Sequence, residues 1–160
     1  MTNDILDLAA RVGRALETKR LVLATAESCT GGGVAQAITE IAGSTGWFEC
    51  GFVTYSNASK TEMLEVPAAL IAQFGSVSEE VAAAMSEGAL ANSAADITVS
   101  TTGIAGPSGA VPGKPVGTVC FGWSRGETTY TERLVFPGDR KAVREQTVAH
   151  ALNGLLRFIE

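Results

Sequence analysis

A serine at a strand-to-helix junction is the first residue of this sequence to which chemistry can be assigned. Ser28 sits in Ala26-Glu27-Ser28-Cys29-Thr30-Gly31-Gly32-Gly33, after a short apolar run at 21–26 and before a helical stretch at 34–41. Strand, glycine-rich turn and helix in that order aim free backbone N–H groups at an anion. A hydroxyl placed there can attack a carbonyl while the N–H groups of Thr30, Gly31 and Gly32 hold the developing oxyanion. It can equally be a plain helix cap, with Ser28 or Thr30 as the capping residue. Cys29 is a rival nucleophile, because a helix N-terminus lowers a thiol's pKa. With no histidine candidate beside it, a small packing residue is the reading the sequence favours.

A serine nucleophile needs a base. The only histidine is His150, and its helical neighbours Gln146, Thr147, Asn153 and Gly154 place it on a polar face, as a surface residue. Lys60, in Tyr55-Ser56-Asn57-Ala58-Ser59-Lys60, is the alternative. Between residues 31 and 124 it and Lys114 are the only basic side chains, against eight acidic ones. A lysine whose pKa is lowered by burial or by a nearby cation can act as a general base; otherwise it is a solvated helix residue. By elimination, Ser28 with Lys60 is the economical pairing. Arg140 and Arg144 stand one turn apart at the start of the last helix. They can hold a phosphate or carboxylate, or form a solvated basic turn with Asp139 and Glu145. Arg144, four residues before Val148, is expected to point further into the protein than Arg140. It is also a candidate for the cation that tunes Lys60.

These residues need a scaffold, and the pattern supplies one. Residues 3–19 have helical apolar spacing at Ile5, Ala9, Val12 and Leu16. Strands are expected at 21–26, 51–55, 97–102, 116–124 and 128–136, the last two joined as a hairpin around Arg125-Gly126-Glu127. Helices are expected after Ser56 or Asn57 to Leu64, after Pro67, from Ser78 to about Asn92, and from Asp139 onward with Val148, Leu152, Leu155 and Ile159 buried. Eight of the 17 residues at 101–117 are Gly or Pro, so that stretch must be a loop. Strands alternating with helices plus one hairpin imply an α/β layered domain with a mixed sheet. Trp47 and Trp123 are expected in the core or at an interface.

Composition limits the function. The chain has 160 residues, 46% of them hydrophobic and 18% charged, with a net charge of −5. That is one domain's worth of chain, 1–160, with material for a core. An acidic chain without a basic face is a poor nucleic-acid or membrane-surface binder. No apolar run approaches a membrane span, and the acidic N-terminus does not read as a signal peptide, so a cytoplasmic location is expected. Three cysteines and one histidine, at no metal-ligand spacing, argue against a metal site and against a disulfide framework. No cofactor is expected. A homodimer or higher homo-oligomer is suggested by small size and apolar composition.

Six motifs occur in one order: AESCTGG at 26–32, VTYSN-x-x-K at 53–60, G-x-VS-x-x-VA at 75–82, TGIAGP-x-G at 102–109, KPVGTV at 114–119 and F-x-GDR-x-x-VR at 136–144. Together they resemble the CinA C-terminal domain family, over nearly the whole chain. The resemblance implies a single three-layer α/β/α domain and a metal-independent enzyme. The reaction it implies is hydrolysis of the carboxamide of nicotinamide mononucleotide to nicotinate mononucleotide and ammonia, in pyridine-nucleotide (NAD) salvage. It makes Ser28 the nucleophile, Lys60 its base, Tyr55 a supporting hydroxyl and Arg144 an anion contact. Thr30, Gly31, Gly32, Asn57, Gly103, Gly106 and Arg140 join Arg144 as candidate substrate-binding residues. The family often carries a larger N-terminal domain; the single-domain form is expected here. Two positions depart from the pattern: Gly33, where a larger side chain is frequent and the pocket wall is expected to change, and Glu65, where glycine is usual. The competing class is a non-enzymatic nucleotide-binding protein or a competence- or DNA-damage-linked interaction protein.

Overall fold

The computed structural model describes residues 1–160, with a five-stranded mixed sheet between two helical layers. In chain order the elements are α1 (Asn3–Lys19), β1 (Leu23–Glu27), α2 (Gly33–Thr39), a 3₁₀ turn (Ser44–Gly46), β2 (Phe48–Val53) and α3 (Asn57–Leu64). There follow α4 (Ala68–Phe74), α5 (Glu79–Ala91), β3 (Ile97–Gly103), β4 (Thr118–Arg125), β5 (Thr128–Val135) and α6 (Arg140–Ile159). The sheet order is β2-β1-β3-β4-β5. β1 is parallel to β2 and β3; β3–β4 and β4–β5 are antiparallel.

The helices start where side chains can accept the free N–H groups of a first turn. Thr2, Ser56, Ser78 and Asp139 each accept from the residue three further on, at Ile5, Ser59, Val81 and Ala142. α3 ends with Glu65 at φ 59°, a left-handed position that favours glycine, which explains why glycine is usual there. The expected element boundaries shift by a few residues: β2 begins at Phe48 rather than 51, and Tyr55 lies beyond its end.

β1, β3 and nearly all of β4 are buried, because both faces of the sheet are covered. α1, α2 and α6 form one layer over the main core of Leu16, Leu23, Ile38, Phe121, Trp123, Leu152 and Leu155. α3, α4 and α5 cover the other face over a smaller cluster that includes Leu64, Val81 and Met85. β4 divides its residues by size to match. Its aromatic face meets α6 at Gly154, where an added Cβ would lie 2.1 Å from the Trp123 ring. Its small face meets α5, where a Cβ at Gly122 would lie 2.6 Å from the Ala82 carbonyl. The two glycines set how closely the layers approach, which outweighs the roughly 1 kcal/mol that glycine costs inside a helix or strand.

Both tryptophans are buried, as expected. His150 is not the surface residue its helical neighbours suggested. Its side chain is 19% exposed and packs against the Phe121 ring at 4.7 Å, tilted by 60°, with Trp123 and Phe136 also against it. The helix face judged polar lies over the aromatic side of β4, a neighbour that spacing within the helix does not reveal. Its Nε2 is 3.5 Å from Glu132 Oε1, within ion-pair range but without hydrogen-bond geometry, and burial lowers the ring's pKa.

Candidate active site

The C-terminal ends of the three parallel-paired strands converge on Ser28. The residue follows β1 directly, and its N–H donates to Thr101 of β3 at 2.9 Å. The Thr54 N–H, one residue past β2, donates to Glu27 of β1 at 2.8 Å. Ligand sites in α/β sheets gather at such strand ends, because the turns there are free of ladder constraints.

Lys60, on the second turn of α3, is 1% exposed. Its Nζ lies 3.0 Å from each of Ser28 Oγ, the Thr54 carbonyl and the Tyr55 carbonyl. A charged amine donates to all three. A neutral amine has two N–H bonds for the two carbonyls and one lone pair, which then accepts the Ser28 O–H. One geometry therefore serves both protonation states, and a proton can pass between Ser28 and Lys60 without rearrangement. Burial pushes the Lys60 pKa below its ordinary value, toward the neutral form. Arg144, proposed from the sequence as the cation that does this, is not among the causes.

Cys29 is buried in the main core, and burial pushes its thiol up to about 12. It is a packing residue and remains protonated at neutral pH, despite its place at a turn before a helix.

The N–H groups of the glycine-rich turn are divided in a way the sequence did not disclose. Glu27, the last residue of β1, is 1% exposed and points under the start of α2. Its carboxylate accepts from the N–H groups of Val34 (2.8 Å) and Ala35 (3.0 Å) and from the Thr30 hydroxyl. The helix N-terminus that looked free for a substrate anion is thus occupied by the chain's own carboxylate. The Gly31 N–H is also engaged, by the Ser28 carbonyl at 3.1 Å. The N–H groups of Cys29, Thr30 and Gly32 donate to no other residue. Glu27 carried a legible signal: a lone carboxylate ending an otherwise buried strand must find donors close by. Glu27→Gln is expected to destabilise the fold by about 2–3 kcal/mol, because its amide group would face the N–H donors of α2. Thermal denaturation measures this.

The remaining candidates separate into two groups. Arg140 reaches the cleft, donating from Nη1 to the Gly106 carbonyl at 2.8 Å, with Nη2 3.5 Å from the Tyr55 hydroxyl. Arg144 instead braces the outside of the turn, donating from Nε to the Cys29 carbonyl (3.1 Å) and from Nη2 to that of Thr30 (3.3 Å). Both arginines of α6 therefore reach the loops at the strand ends, Arg140 at the cleft and Arg144 at the turn after β1. Tyr55 is 65% exposed; its carbonyl faces Lys60, while its hydroxyl is directed to Arg140. Asn57 is an exposed first-turn residue of α3. Gly33 packs against Val148 of α6, so it does not shape the cleft wall.

A cleft of about 210 Å³ contains Ser28, Cys29, Lys60 and Thr102. It shares Tyr55, Ser76, Val77, Gly103, Ala105 and Arg140 with a cavity of about 420 Å³ beside it. The larger cavity extends to Gly106 and the loop that follows β3. A buried hydroxyl, a base with lowered pKa and the unpaired Cys29 N–H at a two-lobed cleft, which Thr30, Gly31 and Gly32 do not line, are the elements of acyl transfer.

Comparison with known proteins gives a consistent picture. The family model described as CinA C-terminal domain matches residues 5–159. A Pseudomonas putida protein named nicotinamide-nucleotide amidohydrolase PncC is 54% identical over 154 residues, covering 96% of each chain. The protein of that name from Escherichia coli K12 is 51% identical, covering 96% of this chain and 93% of its own. The crystal structure of the competence/damage inducible protein CihA from Agrobacterium tumefaciens superposes with a TM-score of 0.97 at 39% identity. That match covers 100% of this chain and 98% of the other.

Proposed function

Since the chain belongs to the CinA C-terminal domain family, we propose that it hydrolyses the carboxamide of nicotinamide mononucleotide, giving nicotinate mononucleotide and ammonia. The observation that carries this reading is the 3.0 Å contact between Lys60 Nζ and Ser28 Oγ inside a cleft. Similarity to the two PncC amidohydrolases supplies the substrate class. An amide is a weak electrophile with a poor leaving group, so the reaction needs an activated nucleophile, oxyanion donors and a proton for the leaving nitrogen.

Ser28 Oγ attacks the carboxamide carbon as Lys60 takes its proton. The Cys29 N–H, in the residue after the nucleophile and at the cleft, stabilises the oxyanion. Lys60 then returns the proton to the nitrogen, which departs as ammonia and leaves an acyl-serine ester. Water, deprotonated by Lys60, attacks the ester; nicotinate mononucleotide leaves and Ser28 regains its proton. The Tyr55 ring, exposed at the rim of both lobes, offers a face to the pyridinium cation. The product is a pyridine nucleotide in acid form, suited to NAD salvage.

Ammonia release from nicotinamide mononucleotide by the purified protein tests the reading; binding without release would favour a nucleotide-binding role. Nucleophile, base and oxyanion donor all come from the chain, so activity is expected to survive dialysis against EDTA. Loss of activity that zinc or magnesium restores would overturn the serine–lysine scheme.

A further inference from the structure

The chain carries a net charge of −5, yet no Asp or Glu lines either lobe of the cleft. Its charged-type side chains are all basic: Lys60 at the floor, Arg140 between the lobes, and Lys114 in the outer lobe. Lys60 is committed to Ser28, which leaves Arg140 and Lys114 facing a cavity of about 420 Å³ without a carboxylate to balance them.

Lys114 is held in place from several directions. Its N–H and carbonyl pair with the carbonyl and N–H of Val111 (2.9 and 3.1 Å), forming a small hairpin in the loop between β3 and β4. The Arg133 side chain donates to the neighbouring Gly113 carbonyl. The Lys114 ammonium donates one N–H to the Phe74 carbonyl at the end of α4, at 2.7 Å. Two N–H bonds remain on Lys114, and Arg140 keeps donors beyond those directed to Gly106 and Tyr55. A side chain fixed in this way gives up less conformational freedom when it binds an anion.

We propose that Lys114 and Arg140 together bind the phosphate monoester of the substrate in the outer lobe, with the reacting amide in the inner lobe at Ser28. This rests on the nucleotide amidohydrolase reading and deepens it: a lobe holding a planar ring at the nucleophile is joined to a lobe suited to a dianion. Arg144, also a sequence-based candidate for an anion contact, lines neither lobe; it lies in two other cavities, one shared with Asp139 and Arg140 and one with Glu145.

The test compares wild type, Lys114→Gln and Lys114→Arg with nicotinamide mononucleotide and with nicotinamide riboside, which lacks the phosphate. Calorimetry gives affinity and ammonia release gives kcat/KM. Loss of one charge-assisted contact is expected to weaken nucleotide binding and lower nucleotide kcat/KM by about 10- to 100-fold in Lys114→Gln. Riboside values should change less than threefold, and Lys114→Arg should recover most of the loss. Inorganic phosphate should compete with the nucleotide in wild type and much less in Lys114→Gln. Equal losses on both substrates, or unchanged nucleotide affinity, would overturn the proposal and leave Lys114 as a tie between the loop and α4. If wild type released no ammonia, the amidohydrolase reading would fail, and the binding comparison would still decide the role of Lys114.

Discussion

Replacement of Ser28 by alanine is expected to lower kcat for ammonia release by on the order of 10³-fold or more, with nucleotide affinity largely kept. The hydroxyl is the atom that bonds to the substrate, and a methyl group cannot be acylated. Cys29→Ala separates this assignment from its neighbour. The Cys29 thiol packs in the core, and its pKa near 12 leaves almost no thiolate at neutral pH. Cys29→Ala should therefore keep kcat within a few-fold while losing some stability to the cavity it opens, and thiol reagents should act slowly. An inactive Cys29→Ala beside an active Ser28→Ala would move the nucleophile to the thiol. Mass spectrometry offers a second readout, since an acyl-enzyme adduct should map to Ser28.

Lys60→Met and Lys60→Arg are both expected to lose on the order of 10²- to 10⁴-fold in kcat, the range of a lost general base. Arginine keeps a positive charge but cannot deprotonate near neutral pH, so it separates the role of the charge from that of the base. Methionine covers the case in which the larger guanidinium does not fit a site that is 1% exposed. Nucleophile and base act as a unit, so Ser28→Ala with Lys60→Met should be little worse than either alone. Lys60 works in its neutral form, and burial lowers its pKa from the ordinary 10.5. Wild-type kcat/KM should accordingly rise with pH through that lowered pKa and level off above it.

The same shift has a stability signature. The unfolded chain binds the Lys60 proton more tightly than the folded one, so folding stability gains with pH between the lowered pKa and 10.5. Wild type should gain stability relative to Lys60→Met across that window. A Lys60→Met enzyme within tenfold of wild-type kcat would remove the base assignment. His150→Ala is the control. It should leave kcat near wild type and lower stability, because the ring packs on Phe121, Trp123 and Phe136.

Local spacing in the sequence determined the elements, because each rests on interactions a few residues apart. Thr2, Ser56, Ser78 and Asp139 cap helices over a separation of three residues, and helical spacing placed Val148, Leu152, Leu155 and Ile159 on the buried side of α6. The pairing of Ser28 with Lys60 was also reachable, by elimination: with one unsuitable histidine, few residues could serve as a base. Tertiary structure alone decided what surrounds that pair. Which arginine enters the cleft depends on how α6 lies across the strand ends, with Arg140 meeting Gly106 and Arg144 meeting Cys29, 115 positions away. That Tyr55 offers its carbonyl to Lys60 and its hydroxyl to Arg140 depends on the path of the chain between β2 and α3. Glu27 takes the N–H groups of α2 because β1 ends beneath that helix. His150 is largely covered because the aromatic side of β4 lies under it. Side-chain type and short-range periodicity fix what a residue can do. Which partner it meets is set by packing between elements far apart in the chain, and that information is spread over every residue of the core.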